Sequence, residues 1–191
     1  LFDAGHGVEQ DAGQALDWYR KAAEQGHLRA QFDLALRIED EAMHWYRKAA
    51  DQDYAPAQYM LGQLLDQDDS GAIDPRQAYE WYRKAADQGH ALAQFALGLR
   101  YDSGHGVERD YEAAHFWYLC AARQGHARAQ FNLGVMYASG QGVHKDLVEA
   151  YAWLHRAGAA GVVPATSYIQ RIAARMEPHL LAQAQGYLGA A

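Results

Sequence analysis

Cysteine occurs once in the chain, at Cys120, and proline only four times in 191 residues. A lone cysteine excludes an intramolecular disulfide and mildly favours a reducing compartment. Nucleophilic use of Cys120 would need a partnered base in a cleft, and the sequence supplies none. Long apolar runs are also lacking. The longest small and apolar stretch, Ala157 to Val163, ends at Pro164 and is far short of the ~20 residues of a membrane helix, so membrane insertion is not expected. Positive charge is scarce: 17 Lys and Arg stand against 24 Asp and Glu, a net charge of −7. Nucleic acid is therefore not an expected partner, because phosphate binding needs concentrated positive charge. No signal peptide is evident, and the chain opens at Leu1-Phe2-Asp3-Ala4-Gly5, inside a repeat and not at Met. A trimmed fragment is expected, which leaves cytoplasm and periplasm equally open.

The acidity is local. Between Asp33 and Asp74 ten acids face only Arg37, Arg47 and Lys48, while the rest of the chain is near balance. A contiguous negative surface is expected there. At 50% apolar residues the chain is not disordered.

What is abundant is repetition. Trp45, Trp81, Trp117 and Trp153 follow one another at 36-residue intervals, and Trp18 lies 27 before Trp45. Each has alanine three residues earlier (Ala15, Ala42, Ala78, Ala114, Ala150), and four are followed by tyrosine. In one copy Ala114, Trp117, Tyr118, Ala121 and Ala122 fall on a single helical stripe. A second phrase alternates with it, seen as Ala93-Gln94-Phe95-Ala96-Leu97-Gly98 and Ala129-Gln130-Phe131-Asn132-Leu133-Gly134. A repeated glycine inside a helix implies that a neighbouring helix approaches closely. Gln-Gly pairs (Gln25-Gly26, Gln88-Gly89, Gln124-Gly125) end the tryptophan helices, with glycine in the left-handed region. Gly104-His105-Gly106-Val107 and Gly140-Gln141-Gly142-Val143 make the turns, and Asp110 and Asp146 cap the helices that follow. A period of this size means stacked helix pairs that bury their apolar faces against each other.

Two places break the pattern. Residues 68–75 lose the first turn glycine and gain acids. The repeat before Trp45 is nine residues short, with Arg37-Ile38-Glu39-Asp40-Glu41-Ala42 joining two helices without a glycine turn. Either both helices are trimmed there, or a stretch is missing from the sequence. The second is favoured, because nine residues restore the spacing.

These phrases resemble the Sel-1-like repeat, a branch of the tetratricopeptide superfamily, from Gly5-His6-Gly7-Val8 through Gly158. The segment from Ala173 to Ala184, with Pro178 at a first turn, resembles the ending of many bacterial members. The resemblance implies an all-α, right-handed superhelical solenoid. Residues 1–26 would be a partial first repeat, 27–160 the repeat pairs and 161–191 C-terminal capping helices. It implies an adaptor or scaffold of bacterial type that binds a peptide or helix of another protein on its concave face. By that resemblance the first helix of each pair lines this face. Arg29, Phe32, Asp33 and Leu36 look inward, followed by Tyr59, Met60 and Gln63, then Phe95, Ala96 and Leu99, then Arg128, Phe131, Asn132 and Val135. Asn132 falls where peptide-clamping relatives place an asparagine. The acidic layers suggest a basic stretch in the client. Two other readings are kept: penicillin-like ligand binding or weak hydrolysis, as in cysteine-rich relatives whose paired cysteines are absent here, and a purely structural spacer.

Other motifs yield to structural explanations. Gly104-x-Gly106 follows a helix and recurs with the repeat, so it is a turn, not a phosphate loop. His27, His90 and His126 recur one per layer and cannot converge on a metal. Serine and threonine sit in turns and helix ends, and the acids do not pair around a pocket. No enzyme, cofactor or metal is expected. The tryptophans are expected in the core. Phe32, Tyr59 and Phe95 are expected either as partner anchors or packed beneath the following helix.

Overall fold

Small residues on one stripe let helices pack closely, and the repeated stripes fold accordingly. A computed structural model describes residues 11–67 and 75–189. All regular structure among them is helical. The turns at 5–8 and 68–74, with Asp68, Asp69 and Asp74, lie outside the described residues.

Packing divides the chain into two units, Leu1–Gln88 and Gly89–Ala191. The first holds α1 (Ala12–Glu24), α2 (Leu28–Ala35), α3 (Ala42–Ala50), α4 (Ala55–Asp66) and α5 (Pro75–Asp87), each packed on the next. The second holds α6 (Ala91–Ser103), α7 (Tyr111–Arg123), α8 (Ala127–Ser139), α9 (Leu147–Ala159), α10 (Pro164–Ala173) and α11 (Pro178–Gly189). There α6 to α9 pack in sequence, and both α10 and α11 pack on α9. The tryptophan phrase forms α1, α3, α5, α7 and α9; the Gln-Phe phrase forms α2, α4, α6 and α8.

The helix ends follow the local chemistry. Asp110 Oδ1 accepts from the amides of Glu112 and Ala113 at 2.9 and 3.0 Å, and Asp146 Oδ1 from Val148 and Glu149 at 2.8 and 3.1 Å. Gly26, Gly89, Gly125 and Gly161 end their helices at φ of 85–89°. The matching place after α3 is held by Asp53 at φ 60°, the one described non-glycine residue with positive φ.

Each layer closes over a helical small residue. A Cβ added to Gly98 would lie 2.4 Å from the Tyr118 ring, so α7 can approach α6 only because that atom is missing. Tyr118 is fully buried above it, among Phe95, Ala114, Leu133 and Met136. A second cluster joins Leu154 of α9 to Ile172, Met176 and Ala184 beneath the last two helices.

Two expectations need correcting. Between Arg37 and Ala42 the sequence is accommodated as it stands. Amides of Arg37 and Ile38 bond to the Leu34 carbonyl, and a 3-10 turn at Glu39–Glu41 leads into α3. Here α2 has 8 residues and α3 has 9, against 13 in both α6 and α7. Both helices are trimmed, the first of the two alternatives the spacing left open. The tryptophans are also not uniformly core. Trp45, Trp117 and Trp153 are buried, Trp81 is only partly buried, and Trp18 is 59% exposed. Trp153 packs back on the preceding helix pair, whereas residues 1–10 lie outside the described ones.

Candidate functional site

The helices of the Gln-Phe phrase bury one face in their layer and leave another open. On α2 and its C-cap the stripe is Arg29, Asp33 and Leu36; on α6 it is Leu92, Ala96 and Leu99; on α8 it is Arg128, Asn132 and Val135; of these Arg29, Leu36, Leu92, Leu99 and Arg128 are exposed and the rest half-buried. On α4 the same positions, Pro56, Met60 and Gln63, are half-buried. Leucine is large and apolar, yet Leu36 is 56% exposed, Leu92 44% and Leu99 43%. A fully buried leucine stands two residues before Leu36 and before Leu99: Leu34 on α2 and Leu97 on α6. Leu92 had been passed over in the sequence. Its signal was its place in the repeat, shared with Arg29 and Arg128.

The rings at the neighbouring position belong to the layers. Phe32 packs on Tyr46 and Tyr54 at 5.5 and 5.7 Å, Tyr59 on Tyr82 at 5.8 Å, and Phe95 on Tyr118 at 5.8 Å and on His126 at 4.3 Å. Phe131 meets Tyr168 edge-on at 5.2 Å. Phe32, Tyr59 and Phe131 keep partial exposure, whereas Phe95 is buried. Burial pushes the Tyr59 hydroxyl above its ordinary range. Asn132 lies within hydrogen-bonding reach of the Tyr118 hydroxyl, which also donates to Asp102 at 3.3 Å.

The acids of the first unit are partly consumed internally. Glu41 accepts from Trp45 Nε1 at 2.8 Å and from Arg20 at 3.1 Å. Asp66 accepts from the Tyr82 hydroxyl at 3.0 Å, and Asp33 lies 3.9 Å from Arg29. Glu39, Asp40 and Asp51 are exposed. The free negative field is therefore weaker than the charge count alone.

A polar ladder that sequence reading missed fixes the register of the layers. Gln31, Gln58 and Gln94 are buried, and their Oε1 atoms accept from Gln52, Gln88 and Gln124 at 3.0, 2.7 and 2.7 Å. Gln31 and Gln58 donate in turn to the carbonyls of Ala23 and Ala50, at 3.0 and 3.2 Å. Gln130 donates likewise to Ala122 at 3.2 Å, but its buried Oε1 has no partner. The donor's place 36 residues after Gln124 is held by Ala160. Recurrent glutamine in both phrases was the available signal.

Chemistry-bearing residues do not assemble. No group of three or more His, Cys, Asp and Glu among the described residues could hold a metal ion. His90 and His126 instead cap α6 and α8, their Nδ1 atoms accepting from Ala93 and Ala129 amides at 3.3 and 3.2 Å. Burial keeps both imidazoles below their ordinary range, with Arg128 adding to the effect at His126. Burial raises the Cys120 thiol, which favours the unreactive form. No described helix is long and apolar enough to cross a membrane.

The repeat pattern and the fold also match known proteins. The Sel1 repeat model matches residues 1–27, 39–54, 55–90, 91–126 and 127–162. The chain belongs to the Sel1 repeat family. Its second repeat is the abbreviated one, and the unmatched stretch 28–38 contains α2 and the start of the trimmed junction. Among solved structures the chain is similar to c5321, a protective antigen of uropathogenic Escherichia coli with an SLR fold, at 34% identity and a TM-score of 0.85. That match covers 96% of this chain and 42% of the other. A Sel1 repeat protein from Oxalobacter formigenes matches at 35% identity and a TM-score of 0.78, over 86% of this chain and 51% of the other. The chain thus spans about half or less of these relatives. Immunity protein Pa5087 of Pseudomonas aeruginosa, at 24% identity and a TM-score of 0.56 over 82% and 64%, shares the fold. No curated protein sequence matches. This Sel1 chain is all-α and built of stacked helix pairs, like those neighbours. Sel1 repeat proteins are generally protein-interaction scaffolds.

Proposed function

We propose that this Sel1 chain is a non-enzymatic adaptor that holds a helix or extended segment of a client protein on the open stripes of the Gln-Phe helices within each of its units. The observation that carries this reading is the exposure of Leu36, Leu92 and Leu99 beside the fully buried Leu34 and Leu97. Leu36 and Leu99 share one repeat position and Leu92 lies two turns before Leu99; they give apolar contact, and Arg29 and Asp33 in the first unit and Arg128 in the second set register by charge. Met60 and Gln63 extend the same stripe on α4, and the partly exposed edges of Phe32, Tyr59 and Phe131 border it. Phe95, buried under His126, supports the stripe from below.

In the first unit the exposed Glu39, Asp40 and Asp51 favour a client segment carrying Lys or Arg. Such attraction speeds encounter and is screened beyond about 8 Å at physiological salt. The bacterial relatives favour a bacterial host. The test is affinity capture from the source organism with quantitative mass spectrometry, comparing the native chain with Leu36→Glu/Leu99→Glu. Loss of a specific set of proteins with unchanged helicity is expected. Capture of the same set by both chains would overturn the stripe as the binding surface.

A further inference from the structure

Arg171 in the last turn of α10 and Arg175 just past it border a notch of about 280 Å³ between α8, α9 and α10. Val135, Leu147, Tyr168 and Ile172 give it apolar walls. Tyr168 is held edge-on by Phe131 at 5.2 Å and carries the Arg171 guanidinium over its face at 4.7 Å. That stacking fixes one cation beside the apolar walls. Among the described residues no carboxylate pairs with Arg171 or Arg175. Both are exposed. From Ala127 to Arg175 five cations stand against only Asp146 and Glu149, and Asp146 is occupied in capping α9. In a chain of net charge −7 this is a local reversal of sign.

We propose that this notch binds an acidic segment of a partner protein, with one apolar side chain seated between Val135 and Ile172 and carboxylates meeting Arg171 and Arg175. Guanidinium forks match carboxylates in two-bond geometry, and an apolar wall beside them keeps water from competing. The volume suits a single Leu, Met or Phe side chain. This goes beyond the adaptor reading, since it names a site of opposite charge preference formed within the second unit. Only Val135 is shared with the open stripes.

The test titrates the full chain against three fluorescein-labelled octapeptides by anisotropy: alternating Glu and Leu, alternating Lys and Leu, and alternating Glu and Ser. The Glu–Leu peptide is expected to bind most tightly, and added salt to weaken it. Arg171→Glu/Arg175→Glu is expected to weaken it by about tenfold or more, as for loss of facing charges at an interface. Equal affinity for the Lys–Leu peptide, or for the double variant, would overturn the charge assignment. Equal affinity for the Glu–Ser peptide would overturn the apolar seat. Should the double variant lose helicity, Arg175→Gln carries the decision: a loss of about threefold is expected from one surface charge, and no loss overturns the proposal. Client capture through Leu36 and Leu99 is read separately, so either idea can fail alone.

Discussion

The α2–α3 pair and the α6–α7 pair are two copies of one repeat, yet they differ in nearly everything that lies outside the layer contact. The first has helices of 8 and 9 residues joined by a 3-10 turn; the second has two of 13 joined through Gly104 and Gly106. What they share is a ring pair, Phe32–Tyr46 at 5.5 Å and Phe95–Tyr118 at 5.8 Å, and a buried glutamine accepting from the next Gln. The layer is therefore specified by its packing rung and its polar rung, and the turn is dispensable. At the closest approach the short pair has Ala35 where the long one has Gly98.

The strongest challenge to this view is removal of a buried tryptophan. Trp117→Ala is expected to cost ~3–5 kcal/mol as a large-to-small core change, measured by urea titration. Trp18→Ala, at an exposed site, is expected to cost less than about 1 kcal/mol. Equal losses would mean that the layers are not individually closed.

Next in size, Gly98→Ala pushes a methyl group against the Tyr118 ring and is expected to cost about 1–3 kcal/mol, despite the better helix propensity of alanine. Retained stability would show that the long pair has the slack of the short one.

The polar rung gives a gain. Ala160→Gln should supply the donor that Gln130 Oε1 lacks, for about 1 kcal/mol of added stability. Thermal unfolding checks it, and a neutral result would demote the ladder to incidental bonding. Asp53→Gly, which relieves a left-handed residue where other repeats place glycine, should add about 0.5–1 kcal/mol.

The smallest effect is the pH response of the histidine caps. His90 and His126 are held below the ordinary imidazole range mainly by burial. The fold thus favours the neutral form, whose Nδ1 accepts the cap bond. Their contribution is fully present above the unfolded value of about 6.5 and is lost as pH falls through the lowered folded values. Stability should therefore decline on acidification, and His126→Asn should flatten the decline. An unchanged slope would remove the cap from the account.

Much of the fold was legible because the repeat writes each contact several times. The apolar stripes gave the helices, Asp110 and Asp146 the caps, and Gly98 the close approach. The trimmed pair was misjudged because spacing carries no information on how short a helix can be while its rung persists. Trp18 was misjudged because the phrase repeats even where burial does not. For the site, position in the repeat singled out Leu36 and Leu99. It could not separate them from Phe95, because exposure depends on which neighbour's ring covers a residue. The notch beside Arg171 was not legible, since Tyr168, Arg171 and Arg175 lie outside the repeated phrases.

The most direct test of the central claim is photo-crosslinking with benzoylphenylalanine placed singly at Leu99, on the open stripe of α6, and at Phe116, which is 54% exposed on the tryptophan helix α7. The account predicts that Leu99 captures a discrete client in the source organism and that Phe116 does not. Equal capture at both positions, or capture at Phe116 alone, would contradict it.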